Sequence, residues 1–143
     1  MEQPLNRIAS FILAAGMSKR MGLENKLLKK YKNNTILNQT VKNHSKSKLK
    51  KINIIVGHEK EAVIKSLKGF TLSIIENKDF EIGMLSSIKK INNNIDDEVS
   101  GIMISLGDMP LVSPSDINCI IEKFFSIDIC MKKYLDLIHK SII

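Results

Sequence analysis

A chain of 143 residues, 43% hydrophobic and 26% charged, is long enough to bury one core and has the balance of a folded globular domain. Its apolar runs fall short of the roughly 18 residues that cross a bilayer, which argues against a membrane protein. The formal charge of +7 is carried almost wholly by lysine, aromatics are 5% and tryptophan is absent, so nucleic acid is not the expected partner and small anionic ligands are.

The first predicted element is a buried strand, Ile8 to Leu13, closed by Ala14, Ala15 and Gly16. Arg7 and the apolar run behind it have the outline of an export leader, but the run is at the low limit of length and basic residues follow it, so a cytoplasmic protein is expected. A turn from Ala14 to Gly22 then sets Lys19, Arg20 and Lys26 around two glycines. Apolar spacing predicts a helix over Thr35 to Ser45, with His44 on its face.

A β-branched strand, Ile52 to Val56, stops at Gly57, with His58 a strand-end loop residue. Glu59 to Leu67 reads as a helix burying Ala62, Val63 and Leu67. A third strand is expected at Thr71 to Ile75 and a loop at Asn77 to Ile82. Gly83 to Ile91 reads as a helix carrying Met84, Leu85, Ile88 and Ile91 inward.

After a polar connection, Gly101 to Leu106 is the fourth strand, ended by Gly107-Asp108-Met109-Pro110. Ser113 has the character of an N-cap, Pro114 and Asp116 suit the first turn, and the helix they open runs to about Phe125, burying Ile117, Ile120, Ile121 and Phe124. Cys119 is expected as a small core residue of that helix, and neither it nor Cys130 has metal-ligand spacing. An amphipathic segment, Lys132 to Ile143, ends the chain, with His139 on its solvated side. Alternation of strand and helix predicts one α/β domain with a mostly parallel sheet covered on both faces, and ligands beyond the carboxyl ends of its strands.

Two constellations sit at such ends. Gly16, Ser18, Arg20 and Lys26 could hold a triphosphate and stabilise departing pyrophosphate, or could be an ordinary strand-to-helix turn with solvated charges. The glycine spacing fits neither GxxxxGK[ST] nor GxGxxG. Asp108 suits Mg²⁺ shared with phosphate oxygens, or a turn aspartate.

Together, LAAGMSKRMG at Leu13 to Gly22 with Lys26, then Asn77 through Gly83-Met84-Leu85-Ser86-Ser87, then Leu106 to Pro110 resemble the molybdenum-cofactor nucleotidyltransferases. Within the MobA-like superfamily the chain is most similar to the molybdopterin cytidylyltransferase branch, over roughly 7–125. The resemblance implies a Rossmann-like three-layer α/β/α fold of the nucleotide-diphospho-sugar transferase type. It implies transfer of a nucleotidyl group, CMP from CTP rather than GMP from GTP, to a phosphorylated acceptor such as molybdopterin.

Carried over, Leu13, Ala14, Ala15 and Gly16 would line the nucleotide, Ser18 and Arg20 would contact the β and γ phosphates, Lys26 the α-phosphate, and Asp108 would bind Mg²⁺. Arg20, Lys26 and Asp108 would be the catalytic set, and Asn77, Ser86 and Ser87 match positions near nucleotide and acceptor. A molybdoenzyme or its maturation chaperone would be the protein partner. Lys78 stands where the family usually has proline, and Asn33-Asn34 where a glycine is frequent. Family members usually continue to a second metal-binding carboxylate near a Gly-Asp segment. A truncated, inactive nucleotide-binding module is therefore the alternative, and a sugar-phosphate nucleotidyltransferase the second.

Overall fold

The computed structural model describes residues 8–17, 24–96 and 98–141, with side chains described through 127. Strand β1 (Ile8–Ala14) is the centre of the fold. It pairs in parallel with β4 (Ile52–Val56) on one side and with β6 (Gly101–Leu106) on the other, and β5 (Ser73–Glu76) pairs with β4, giving the order β5-β4-β1-β6. All five residues of β4 are buried, the pattern of a strand covered on both faces. Between β1 and β4 a small antiparallel ribbon, β2 (Lys30–Tyr31) and β3 (Asn34–Thr35), leads into the first helix.

Alternation along β1 sends its side chains to two layers. Ile12 and Ala14 pack with Leu37 and Val41 of α1 (Ile36–Ser45) and Val63 of α2 (Lys60–Ser66). Ile8 joins Ile117 and Ile121 of α4 (Pro114–Ser141) on that same face. Phe11 and Ala15 pack with Ile55 and with Ile91 of α3 (Met84–Asn92) on the other. Phe11, Ile12, Ile54 and Ile55 are fully buried, each worth about 1.5–3 kcal/mol of removed apolar surface. The result is the three-layer α/β/α fold, with a parallel sheet.

Local chemistry explains the helix starts. Thr35 Oγ1 accepts from the Asn38 N–H at 3.1 Å, capping α1. At α4 the Ser113 N–H and Oγ donate to Asp116 Oδ2, while the Asp116 N–H donates back to Ser113 Oγ. Those bonds hold the Asp116 carboxyl below its usual range.

Several expectations are corrected. Helix α2 begins at Lys60, behind a left-handed Glu59 (φ 51), which turns Ala62 to solvent. Strand β5 lies two residues later than its apolar run suggested at its start, because it follows the register of β4. In α3, Met84, Leu85 and Ile88 are exposed and Ser86, Ser87 and Ile91 are buried. In α4, Ile117 and Ile121 are buried but Ile120 and Phe124 are 58% and 39% exposed, and Cys119 is exposed rather than in the core. The helix runs unbroken to Ser141 instead of stopping near Phe125. The side chains of Cys130 and His139 lie outside the described residues. No helix among the described residues is long and apolar enough to cross a membrane.

His44 is a buried cross-brace, not a residue on an open helix face. Its Nδ1 lies 2.9 Å from the Thr40 carbonyl oxygen, which can only accept, so Nε2 accepts from Ser105 Oγ at 2.9 Å and ties α1 to β6. Burial pushes this imidazole below its ordinary 6.5, against the smaller opposing effect of the Thr40 bond. The unfolded chain therefore takes up a proton that the folded one refuses. This contribution to stability is complete above about pH 6.5 and lost as pH falls below it. Urea unfolding is expected to give a lower stability at about pH 5.5 than at about pH 7.5, with the difference reduced in His44→Gln. An unchanged slope in that variant would contradict the assignment.

Candidate active site

The chain runs from β1 outward through β4 to β5, then returns across the sheet to β6 on the far side of β1. That reversal opens a crevice beyond the carboxyl ends of β1 and β6, the usual ligand position in such sheets. A cavity of about 720 Å³ lies there. Leu13, Ala15, Gly16 and Met17 line it from the β1 side, and Leu106, Gly107 and Asp108 from the β6 side. Phe80, Glu81, Ile82, Gly83, Met84 and Ser87 complete the lining.

Lys26 and Asp108, 82 positions apart, meet in this cavity with Nζ 2.9 Å from Oδ2. Lys26 is aimed by a short 3-10 turn, Lys26–Leu28, which Asn25 Oδ1 caps by accepting the Leu27 N–H while Leu27 is buried in the core. Asp108 follows Gly107, whose N–H donates to the Leu13 carbonyl at 2.9 Å and locks the β6 turn against β1. A side chain at Gly107 would lie 2.9 Å from Leu37 Cδ1 and 3.0 Å from the Leu13 carbonyl oxygen, so this close approach requires glycine. The Lys26 and Asp108 side chains are 42% and 33% exposed, open enough to exchange one another for a ligand's groups.

Asn77 is fully buried, behind the lining rather than in it. Its Nδ2 donates to Ser86 Oγ at 2.8 Å and Ser87 Oγ at 3.1 Å, and its Oδ1 accepts the Asp79 N–H at 3.0 Å. Ser86 Oγ in turn donates to the Gly83 carbonyl. One amide thus holds both the 3-10 turn Phe80–Ile82 and the start of α3, which form one wall of the cavity. The same bonds account for the inverted face of α3: two hydroxyls are drawn inward to satisfy a buried amide.

Of the residues singled out in the sequence, Leu13, Ala15, Gly16, Lys26, Ser87 and Asp108 come together around the cavity. Ala14 does not; strand alternation turns it into the α1–α2 core. Asn77 and Ser86 stand one layer behind, and Ser18 and Arg20 lie outside the described residues. Among the described residues nothing lies within 4 Å of a Cβ placed on Gly16, which faces the cavity it lines. Sequence reasoning passed over Phe80, the aromatic three positions after Asn77. The His58 ring lies against it, tilted by 52° with 5.9 Å between ring centroids, and the His58 backbone N–H donates to the Ala15 carbonyl.

Gly57 is the spacer that lets Phe80 reach this position. A Cβ there would lie 2.7 Å from Phe80 Cβ and 3.0 Å from Ala15 Cβ. Gly57→Ala is expected to cost about 1–3 kcal/mol of stability and to weaken ligand binding by displacing Phe80. Urea unfolding and titration with a nucleoside triphosphate measure both.

Among the described residues, no three His, Cys, Asp or Glu side chains gather as a metal cage. Asp108 offers a single partly exposed carboxylate in the cavity that Gly16 also lines. That donor set fits a hard divalent cation shared with a ligand's phosphate oxygens, not one held by protein alone.

The model of the MobA-like NTP transferase domain matches residues 10–136. A probable molybdenum cofactor guanylyltransferase of Thermococcus sibiricus is 29% identical over 137 residues, which are 91% of this chain and 66% of that protein. The crystal structure of Rv0371c from Mycobacterium tuberculosis aligns with a TM-score of 0.72 at 24% identity, covering 82% of this chain and 60% of that one. A nucleotidyl transferase of Methanothermobacter thermautotroptrophicus, Mth528, aligns with a TM-score of 0.66 at 25% identity over 82% of this chain and 57% of its own. Rv0371c has also been solved in complex with manganese, and that structure aligns with a TM-score of 0.68 at 23% identity over 81% of this chain and 58% of its own. The chain thus spans about two thirds or less of the length of these relatives. With a match that runs through β1, Lys26 and Asp108, the protein belongs to the MobA-like NTP transferase family.

Proposed function

We propose that this chain transfers a nucleotidyl group from a nucleoside triphosphate to a phosphorylated acceptor of the molybdopterin type. The observation that carries the reading is the meeting of Lys26 and Asp108 at 2.9 Å beside the Gly16 loop, at the reversal point of the sheet. The triphosphate would run along the backbone of Ala15 to Met17, where Gly16 presents no side chain, with Ser18 and Arg20 on the β and γ phosphates. Lys26 would leave Asp108 for the α-phosphate and offset the charge that grows as an acceptor phosphate oxygen attacks phosphorus. The bond from the α-phosphorus to the bridging oxygen breaks in line, and pyrophosphate departs. A phosphate nucleophile is already anionic, so positioning and charge neutralisation suffice without a strong base.

Asp108 would hold the divalent cation, for which Mg²⁺ is the reading here and manganese is the ion found with a relative. When bound, such a cation supplies Lewis-acid polarisation of the phosphates. CTP is favoured by the resemblance that the three motifs carry together, while the Thermococcus relative, by its name, favours GTP. Titration calorimetry with each nucleotide and Mg²⁺ tests the reading. Binding of one triphosphate, weakened in Lys26→Ala, supports it; no binding of either overturns it.

A second reading is nucleotide binding without transfer, since this chain spans 66% of the length of the guanylyltransferase relative and 60% of Rv0371c. It predicts the same calorimetry with no pyrophosphate release.

A further inference from the structure

Helix α1 grips the chain on both sides of Asp108. Before it, His44 is bonded to Ser105 of β6. A side chain at Gly107 would meet Leu37 Cδ1 at 2.9 Å and Leu27 Cδ2 at 3.2 Å, and Leu37 and Leu27 share one buried cluster. The same helix therefore backs Asp108, one residue after Gly107, and Lys26, one residue before Leu27. After Asp108 the grip is Asn43, a buried side chain of α1. Its Nδ2 donates to the Pro110 carbonyl at 3.0 Å and to the Val112 carbonyl at 2.8 Å. Its Oδ1 accepts from Gln39 Nε2 at 2.9 Å, one helical turn back. A carbonyl oxygen can only accept, so both amide protons are committed to the turn and the Asn43 amide has one orientation.

We propose that Asn43 is a positioning residue for Asp108, fixing the turn beyond it so that the carboxylate stays opposite Lys26 and aimed at the divalent cation. The inference rests on the reading of Asp108 as the carboxylate that holds this cation. Asp108 lies between two anchors, the Gly107 N–H bonded to the Leu13 carbonyl at 2.9 Å and the Asn43 amide bonded to Pro110 and Val112. The turn itself contributes a bond from the Val112 N–H to the Met109 carbonyl, long at 3.3 Å, and Pro110 has no N–H to give. A carboxylate that shares its cation with a ligand's phosphates must be aimed by its own backbone, since a displacement of about 1 Å can cost about a hundredfold. Neither Asn43 nor Gln39 lines the cavity, so their effect on a ligand passes through the turn.

Titration calorimetry with CTP and with GTP, each in Mg²⁺ and in EDTA, gives the factor by which the cation strengthens triphosphate binding. Asp108→Asn should abolish that factor. Asn43→Leu, which removes both donors at similar size, should lower it about tenfold while affinity in EDTA stays within about twofold of wild type. Gln39→Met frees the amide without touching the turn and should lower it by about threefold, which keeps the test open if Asn43→Leu does not fold. Ile52→Ala truncates a buried side chain at the amino end of β4, and should lower stability in urea with the factor unchanged. A factor unchanged in the Asn43 and Gln39 variants but lost in Asp108→Asn would overturn the role of Asn43 alone. Equal weakening with and without Mg²⁺, or loss of the factor in Ile52→Ala, would overturn it too, since general destabilisation would then be the cause. A factor that survives in Asp108→Asn would overturn the reading of Asp108 and, with it, this one.

Discussion

Asp108→Asn should lower pyrophosphate release by about 10²–10³-fold while leaving the fold intact. The substitution keeps the shape of the side chain and leaves the Gly107 to Leu13 hydrogen bond, which sets the turn, untouched. It removes the negative charge that partners Lys26 and that would hold a divalent cation. Because both members of the pair are a third or more exposed, losing their attraction should change stability by less than about 1 kcal/mol. Activity and stability are thereby separated. Equal loss of both would mean that Asp108 is a structural turn residue, the other meaning a Gly-Asp-x-Pro segment carries.

Asn77→Ala should have the opposite signature, with the larger effect on stability. It deletes three hydrogen bonds from a fully buried position and strips Ser87 Oγ of its donor, while Ser86 keeps the Gly83 carbonyl. A loss of about 2–4 kcal/mol in urea unfolding is expected, since each stranded buried polar group costs roughly 1–3 kcal/mol. Ser87→Ala on its own should cost less, and the double variant should fall short of the sum because the two share one bond. Ligand binding should weaken as well, because Asn77 sets the wall formed by Phe80 and the start of α3. An additive double variant would contradict the network.

The four strands of the parallel sheet were legible because each is a short apolar run, and Ile52–Val56 and Gly101–Leu106 fall where the run does, whereas the polar ribbon Lys30–Tyr31 and Asn34–Thr35 was not. Their order was legible only as a class, since the pairing of β1 with β6 depends on a contact across some ninety residues that no local pattern encodes. Helix faces were harder to read. Periodicity marks Met84, Leu85 and Ile88 as apolar, but a buried Asn77 amide decides which side of α3 turns inward. In α4 the apolar circuit is wider than the layer beneath it, so Ile117 and Ile121 are covered and Ile120 and Phe124 are not. At the site, Lys26 and Asp108 could be nominated one by one from motif chemistry. Their ion pair, and the brace from His44 to Ser105, are products of the fold.

Nucleotidyl transfer is measured most directly by acceptor-dependent pyrophosphate release. Wild-type protein given CTP or GTP, Mg²⁺ and molybdopterin should release pyrophosphate in proportion to acceptor consumed, and Asp108→Asn should not. Folded protein that binds the nucleotide yet releases no pyrophosphate above an acceptor-free control would contradict the account.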